Sequence, residues 1–260
     1  MKKFLMVKDQ EYFPVATFAL FMLILAIYPF SQMNISLYSN IFGFTPAHPQ
    51  PWTIVTYLFI HADLIHLIFN IVFLLIAGLT IEQVLGKWNF LTIYFGSGLI
   101  TLLLDSVGRL FTNVSFSTPL IGASGAIFGV ITIAALLRPF EKVPSLLAIL
   151  AFLPLMIQLY FTLTSSNIDT LTLFLSAGGI FVLIMAIVIM FITPMPLILL
   201  LVFFFMSWSV IISLRLQTGI SDLGHVGGVV GGIISFMIIL MSKDKKKETP
   251  EQTKQQPNAS

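Results

Sequence analysis

Ile121-Gly122-Ala123-Ser124-Gly125-Ala126-Ile127-Phe128-Gly129 sets one serine between glycines at the head of an apolar run, residues 130–137. At membrane depth an unpaired hydroxyl costs several kcal/mol, so a serine here needs a partner or a task. Glycines on both sides let other backbone, or a substrate, come close. A serine becomes a nucleophile only where a base can reach it. The stretch therefore asks whether a histidine lies at the same depth elsewhere. His225 does, in Asp222-Leu223-Gly224-His225-Val226-Gly227-Gly228.

The surroundings are those of a membrane protein. Hydrophobic residues make up 57% of the chain and charged ones 9%, with mean hydropathy +1.00, whereas soluble domains carry about 25% charge. The absence of cysteine excludes disulfides and thiolate metal sites. Four histidines scattered between loops and helices do not point to zinc. The basic start (Lys2, Lys3, Lys8) leads into a long apolar run with no small-residue cleavage site after it, which reads as a retained first span.

Spans of about 20 apolar residues are expected at 12–30, 64–79, 88–104, 144–163, 170–192, 196–214 and 223–241, with a short one at 124–137. The short one rises only about 21 Å. It ends at Arg138, so Ser124 starts below the opposite surface. Residues 31–51, proline-rich and without charge, form a long loop that dips into the interface, and 105–120 form a polar loop. The fold class is an all-α membrane protein, a polytopic helical bundle of eight spans. The domains are an N-terminus at 1–11, a transmembrane unit at 12–242 and a disordered tail at 243–260.

Of the 13 Lys and Arg, all but Arg109 and Arg215 fall on the side of the two termini. That bias makes both termini cytoplasmic. Ser124 and His225 then both open spans that descend from the outer face. Six spans keep the same sidedness if two of the three runs after Arg138 do not cross.

Small residues four apart (Gly125 and Gly129; Gly224, Gly228 and Gly232; Gly227 and Gly231) let two membrane helices pack closely, which would bring Ser124 to His225. Phe128 shares the face of Ser124 and could stack on the imidazole. The alternative is that the glycines are generic packing faces and Ser124 bonds its own helix. A second cluster, His61, His66 and Asn70, puts two neutral donors on one helix face. Such a pair suits an oxyanion; a metal site, capping by Asp63 or interhelical hydrogen bonding are the alternatives. Asp222 reads as an N-cap rather than a third catalytic member. Asp105, Arg109, Asp169 and Arg215 read as ordinary loop charges, His48 as exposed, and 203–205 (three phenylalanines) as lipid-facing.

Together Gly122-Ala-Ser124-Gly125, the His61/His66/Asn70 spacing and His225 with Gly228 and Gly232 resemble the rhomboid family of intramembrane serine proteases, over roughly residues 51–242. The resemblance implies a six-helix core, to which the eight runs counted here add two spans after Arg138. It implies a Ser124–His225 dyad, and an oxyanion hole of His66, Asn70 and the Ser124 backbone N–H. His61, Gly122, Gly125, Phe128, Gly228 and Gly232 would be supporting residues. Glu82 and Gly86 match a structural pair at the inner end of the second span, and Tyr94, Ser97 and Gly98 a packing face. Thr53 follows Trp52 where the family often has arginine, and the stretch between Ser124 and His225 is long for the family. The implied activity is cleavage of transmembrane protein substrates near the outer face of the cell membrane, with the bilayer as partner. No cofactor, metal or nucleic acid is expected. By analogy, movement of the last-but-one span or of the loop after it, 217–221, would admit the substrate. An inactive relative that escorts membrane proteins would lack the serine or the histidine. A transporter would spread ionisable groups along a whole path across the bilayer.

Overall fold

The computed structural model describes residues 13–111, 114–143, 195–198 and 222–253. The expected spans at 144–163, 170–192 and 196–214 lie outside the described residues apart from 196–198, as do the gate at 217–221, Asp169, Arg215, the three phenylalanines and residues 1–11. The chain is a multi-pass helical membrane protein. Among the described residues four helices are long and apolar enough to cross a bilayer, and Ser124–Leu137 is a shorter apolar one.

The helices follow from the sequence in simple ways. Helix α1 (Val15–Met33) is uncapped by its own side chains. Its first amides are satisfied from another helix: the buried Glu82 carboxylate accepts from Ala16 N (2.9 Å), Thr17 N (2.7 Å) and Thr17 Oγ1 (2.8 Å). A carboxylate at a helix N-terminus meets both the orphan N–H groups and the positive end of the dipole. That role explains why α4 (Leu64–Leu85) runs past the expected end at 79. A short helix α2 (Ile35–Phe42), capped by Asn34, lies within the loop at 31–51. Helix α3 (Thr53–Thr56) and a 3₁₀ turn (Tyr57–Phe59) lead to α4, whose N-cap is Asp63, accepting from His66 N at 2.8 Å.

Gly86, at φ 81°, turns the chain between α4 and α5 (Lys87–Gly108). Only glycine adopts that φ without strain. Helix α5 passes into a 3₁₀ turn (Arg109–Phe111). Helix α6 (Ser124–Leu137) has the expected bounds. Two short strands, β1 (Lys142–Val143) and β2 (Met195–Pro196), pair antiparallel.

Helix α7 (Asp222–Thr253) continues past the expected end of the last span. The span supplies the nucleus, and Lys and Glu extend a helix at little cost.

Helices α5, α6 and α7 pack most closely, α7 against both others. Glycines make that possible. A Cβ on Gly228 would strike the Gly125 carbonyl oxygen, and one on Gly232 would lie 2.6 Å from Gly129 Cα. Without a hydrophobic force between helices in lipid, such backbone contact is what holds them. The core, including Phe73, Phe90, Tyr94, Phe128 and Ile133, is buried between α4, α5 and α6.

Candidate active site

The glycine contacts set α6 and α7 so that their first turns meet. Ser124, the first residue of α6, and His225, in the first turn of α7, are hydrogen-bonded: Nε2 to Oγ is 2.8 Å across 101 residues of sequence. The Phe128 ring stands 4.5 Å from the imidazole centroid, tilted by 36°. Both contacts were expected from depth and helical spacing. His225 is buried and Ser124 half-buried. A hydroxyl hydrogen-bonded to an imidazole can pass its proton to it and become a nucleophile.

The chain reaches Ser124 through a well-held segment that needs a glycine. Gly122 has φ 110°, and a Cβ there would lie 2.7 Å from His66 Nε2. His66 therefore stands directly over the backbone two residues before the serine. Gly122 N donates to the Tyr57 carbonyl at 2.9 Å, and Leu120 and Phe44 form a two-bond antiparallel bridge.

Of the second cluster, Asn70 is buried and its Nδ2 donates to the His66 carbonyl at 2.8 Å. Its Oδ1 has no partner among the described residues. The His61 and His66 rings meet edge-on at 5.1 Å. His61, ahead of α4, is fully buried; burial pushes its imidazole down to about 3, with His66 adding to the effect and the Phe59 backbone opposing it. Gln32 holds the His61 carbonyl at 2.9 Å. Among the described residues no three His, Asp or Glu gather as a metal site would need. Asp63 is the cap of α4, as one alternative had it. Asp222 opens α7, and its side chain is not among those described. His48 is exposed.

Reading Asp105 and Arg109 as ordinary loop charges is wrong. Both are 5% exposed and paired at 2.7 Å. Sequence reasoning also missed Thr101, whose Oγ1 donates to the Gly224 carbonyl at 3.0 Å, next to His225. A Cβ on Gly125 would strike that same threonine, so Thr101 is wedged between α6 and α7 beside the Ser–His pair. The signal was present: Ser97, Thr101, Asp105 and Arg109 recur every four residues, one polar stripe on one helix face. All four are buried. Thr53 is buried with Oγ1 on the Gln50 carbonyl, while Trp52 Nε1 donates to the Ile41 carbonyl at 2.9 Å.

A family model described as Rhomboid domain matches residues 48–188. The match contains His61, His66, Asn70 and Ser124 and stops before His225. A Bacillus subtilis (strain 168) protein, YdcA, whose name assigns it provisionally to the rhomboid proteases, is 32% identical over 145 residues, covering 51% of this chain and 66% of that protein. Rhomboid-like protease 1 of Toxoplasma gondii is 33% identical over 126 residues, 46% of this chain and 41% of that protein. Rhomboid-like protease 3 of the same organism is 40% identical over 82 residues, 32% and 29% of the two chains. The chain thus covers less than two thirds of the length of each of these relatives. No solved structure matches.

Proposed function

The chain belongs to the rhomboid family, and on that premise we propose that it is an intramembrane serine endopeptidase working through Ser124 and His225. The observation that carries this reading is the 2.8 Å contact between Ser124 Oγ and His225 Nε2. The Ser124 hydroxyl attacks a peptide carbonyl as His225 takes its proton. The oxyanion forms beside His66, Asn70 and the Ser124 backbone N–H, where donors fixed in advance stabilise developing charge. His225 then gives the proton to the leaving amine. The acyl group is left as an ester on Ser124, which water, deprotonated by the same imidazole, hydrolyses. Phe128 holds the ring in place, and the buried His61 keeps a neutral edge against His66.

The substrate is a transmembrane protein. It is cut near the outer face of the cell membrane, with both termini of the enzyme in the cytoplasm. Helical carbonyls are bonded and enclosed, so the cut segment must unwind, which favours small or helix-breaking residues.

The test is cleavage of a model transmembrane substrate by purified protein in proteoliposomes, beside Ser124→Ala and His225→Ala. Each variant is expected to lose about 10⁴-fold or more in kcat. If both cut as fast as the parent, the pair does not do the chemistry. An inactive, escorting relative predicts no cleavage by any of the three proteins.

A further inference from the structure

At the C-terminal end of α5 one guanidinium does several things at once. Arg109 Nε donates to Asp105 Oδ2 at 2.7 Å. Its Nη1 donates to the carbonyls of Ser115 (2.6 Å) and Thr118 (2.7 Å). Those carbonyls lie at the two ends of one turn, closed by Thr118 N on the Ser115 carbonyl at 3.1 Å. One side chain thus grips both ends of the turn and ties it to a buried carboxylate in the last turn of α5.

Beyond that turn the chain approaches Ser124. Leu120 is paired with Phe44, the Phe116 carbonyl accepts from Ala47 N at 3.0 Å, and Gly122 N is bound to the Tyr57 carbonyl at 2.9 Å. The turn at 115–118 opens this run of bonds, which continues to within two residues of Ser124. The buried pair makes little sense as a plain stabiliser, because two desolvated charges are often matched or bettered by apolar residues of similar size. An apolar pair could not grip two carbonyls. Lysine could keep the charge but not the planar fork that serves Asp105 from one nitrogen and the turn from another.

We propose that Arg109 is a positioning residue for the nucleophile: held by Asp105, it latches the turn at 115–118 and so fixes the backbone that presents the Ser124 hydroxyl and N–H. This rests on the reading of Ser124 as nucleophile. Arg109 does not touch substrate; it acts through the segment 115–123.

The test has two readouts on the full chain. The first is the rate at which a fluorophosphonate probe labels Ser124, with kcat and KM for a transmembrane substrate, in the parent, Arg109→Lys and Arg109→Gln. A misplacement of about 1 Å costs on the order of 10²-fold. Arg109→Lys is expected to lose about tenfold, and Arg109→Gln about 100-fold, in labelling rate and kcat, with KM within about threefold of the parent. If Arg109→Gln does not fold, Arg109→Lys carries the test alone. The second readout, amide hydrogen exchange at 114–124 in a Ser124→Ala background, needs no activity. Exchange there should speed up in both Arg109 variants while α6 stays protected. Parental labelling and exchange in a folded Arg109→Lys overturns the latch, and so does a raised KM with unchanged kcat. A parent that neither cleaves nor labels sinks the protease reading instead, and exchange alone then decides whether the latch exists.

Discussion

Replacing Gly232 with alanine tests whether backbone contact between α6 and α7 sets the Ser124–His225 distance. The added Cβ would lie 2.6 Å from Gly129 Cα and 2.7 Å from the Gly129 carbonyl oxygen. Ordinary contact begins at 3.4 Å, so α7 must retreat by roughly 0.8 Å or tilt. Neither neighbour is a flexible side chain that can swing away. His225 lies two helical turns before Gly232 on the same side of α7. A rigid retreat would stretch its 2.8 Å bond to Ser124 to roughly 3.6 Å, beyond hydrogen-bond range. The expected loss in kcat is about 100-fold, or about 2.7 kcal/mol of barrier. Overpacking costs about 1–3 kcal/mol of stability, offset in part by alanine's better helix propensity, about 1 kcal/mol. The net loss of stability should therefore be about 0–2 kcal/mol, less than the rise in the barrier. The assay is kcat on a transmembrane substrate with thermal midpoints in detergent, and Val230→Ala on the exposed side of α7 as control. A folded Gly232→Ala enzyme with parental kcat would refute the reasoning.

Single contacts set the other expected outcomes. Thr101→Val removes the hydroxyl that holds the Gly224 carbonyl but keeps the shape; kcat should fall about threefold to tenfold, and the thermal midpoint should drop by the equivalent of about 1 kcal/mol, the scale of one hydrogen bond. Glu82→Gln leaves the α1 amides with a weaker, neutral acceptor; scanning calorimetry should show a loss of about 1–3 kcal/mol, while the labelling rate of Ser124, at the other end of α4, stays within twofold or so. His61 titrates near 3 when folded and near 6.5 when unfolded, so the unfolded state takes up the proton first as pH falls. Stability is then full above about pH 6.5 and is lost progressively toward pH 3, about 2 kcal/mol of it by pH 5. His61→Phe should flatten that part of the thermal-midpoint profile, and an unchanged profile would rule it out.

The depth of Ser124 and His225 was legible because topology fixes it. Two spans starting from one face put their first residues at one level, and glycines four apart say which faces touch. The bounds of α6 were readable for the same reason, with a glycine-rich start and Arg138-Pro139 to stop it. Helix α4 was read short because Glu82 looks like a span end; its carboxylate is buried only because the first amides of α1 come to meet it, a contact between residues 65 apart. The charges on Arg109 and Asp105 were misread in the same way. Taken one by one they look like loop residues. Taken with Ser97 and Thr101 at four-residue spacing they mark a buried face, because polar groups in lipid turn inward. The grip on the Ser115 and Thr118 carbonyls could not be read, since backbone acceptors leave no mark in side-chain identity.

The most direct measurement is the site and rate of covalent modification by a fluorophosphonate, read by mass spectrometry on the intact purified chain. A single adduct on Ser124 is predicted, absent in Ser124→Ala and slowed by about 10³-fold or more in His225→Ala. An adduct on another residue, or equal labelling of Ser124 with and without the imidazole, would contradict the pairing of that hydroxyl with that base.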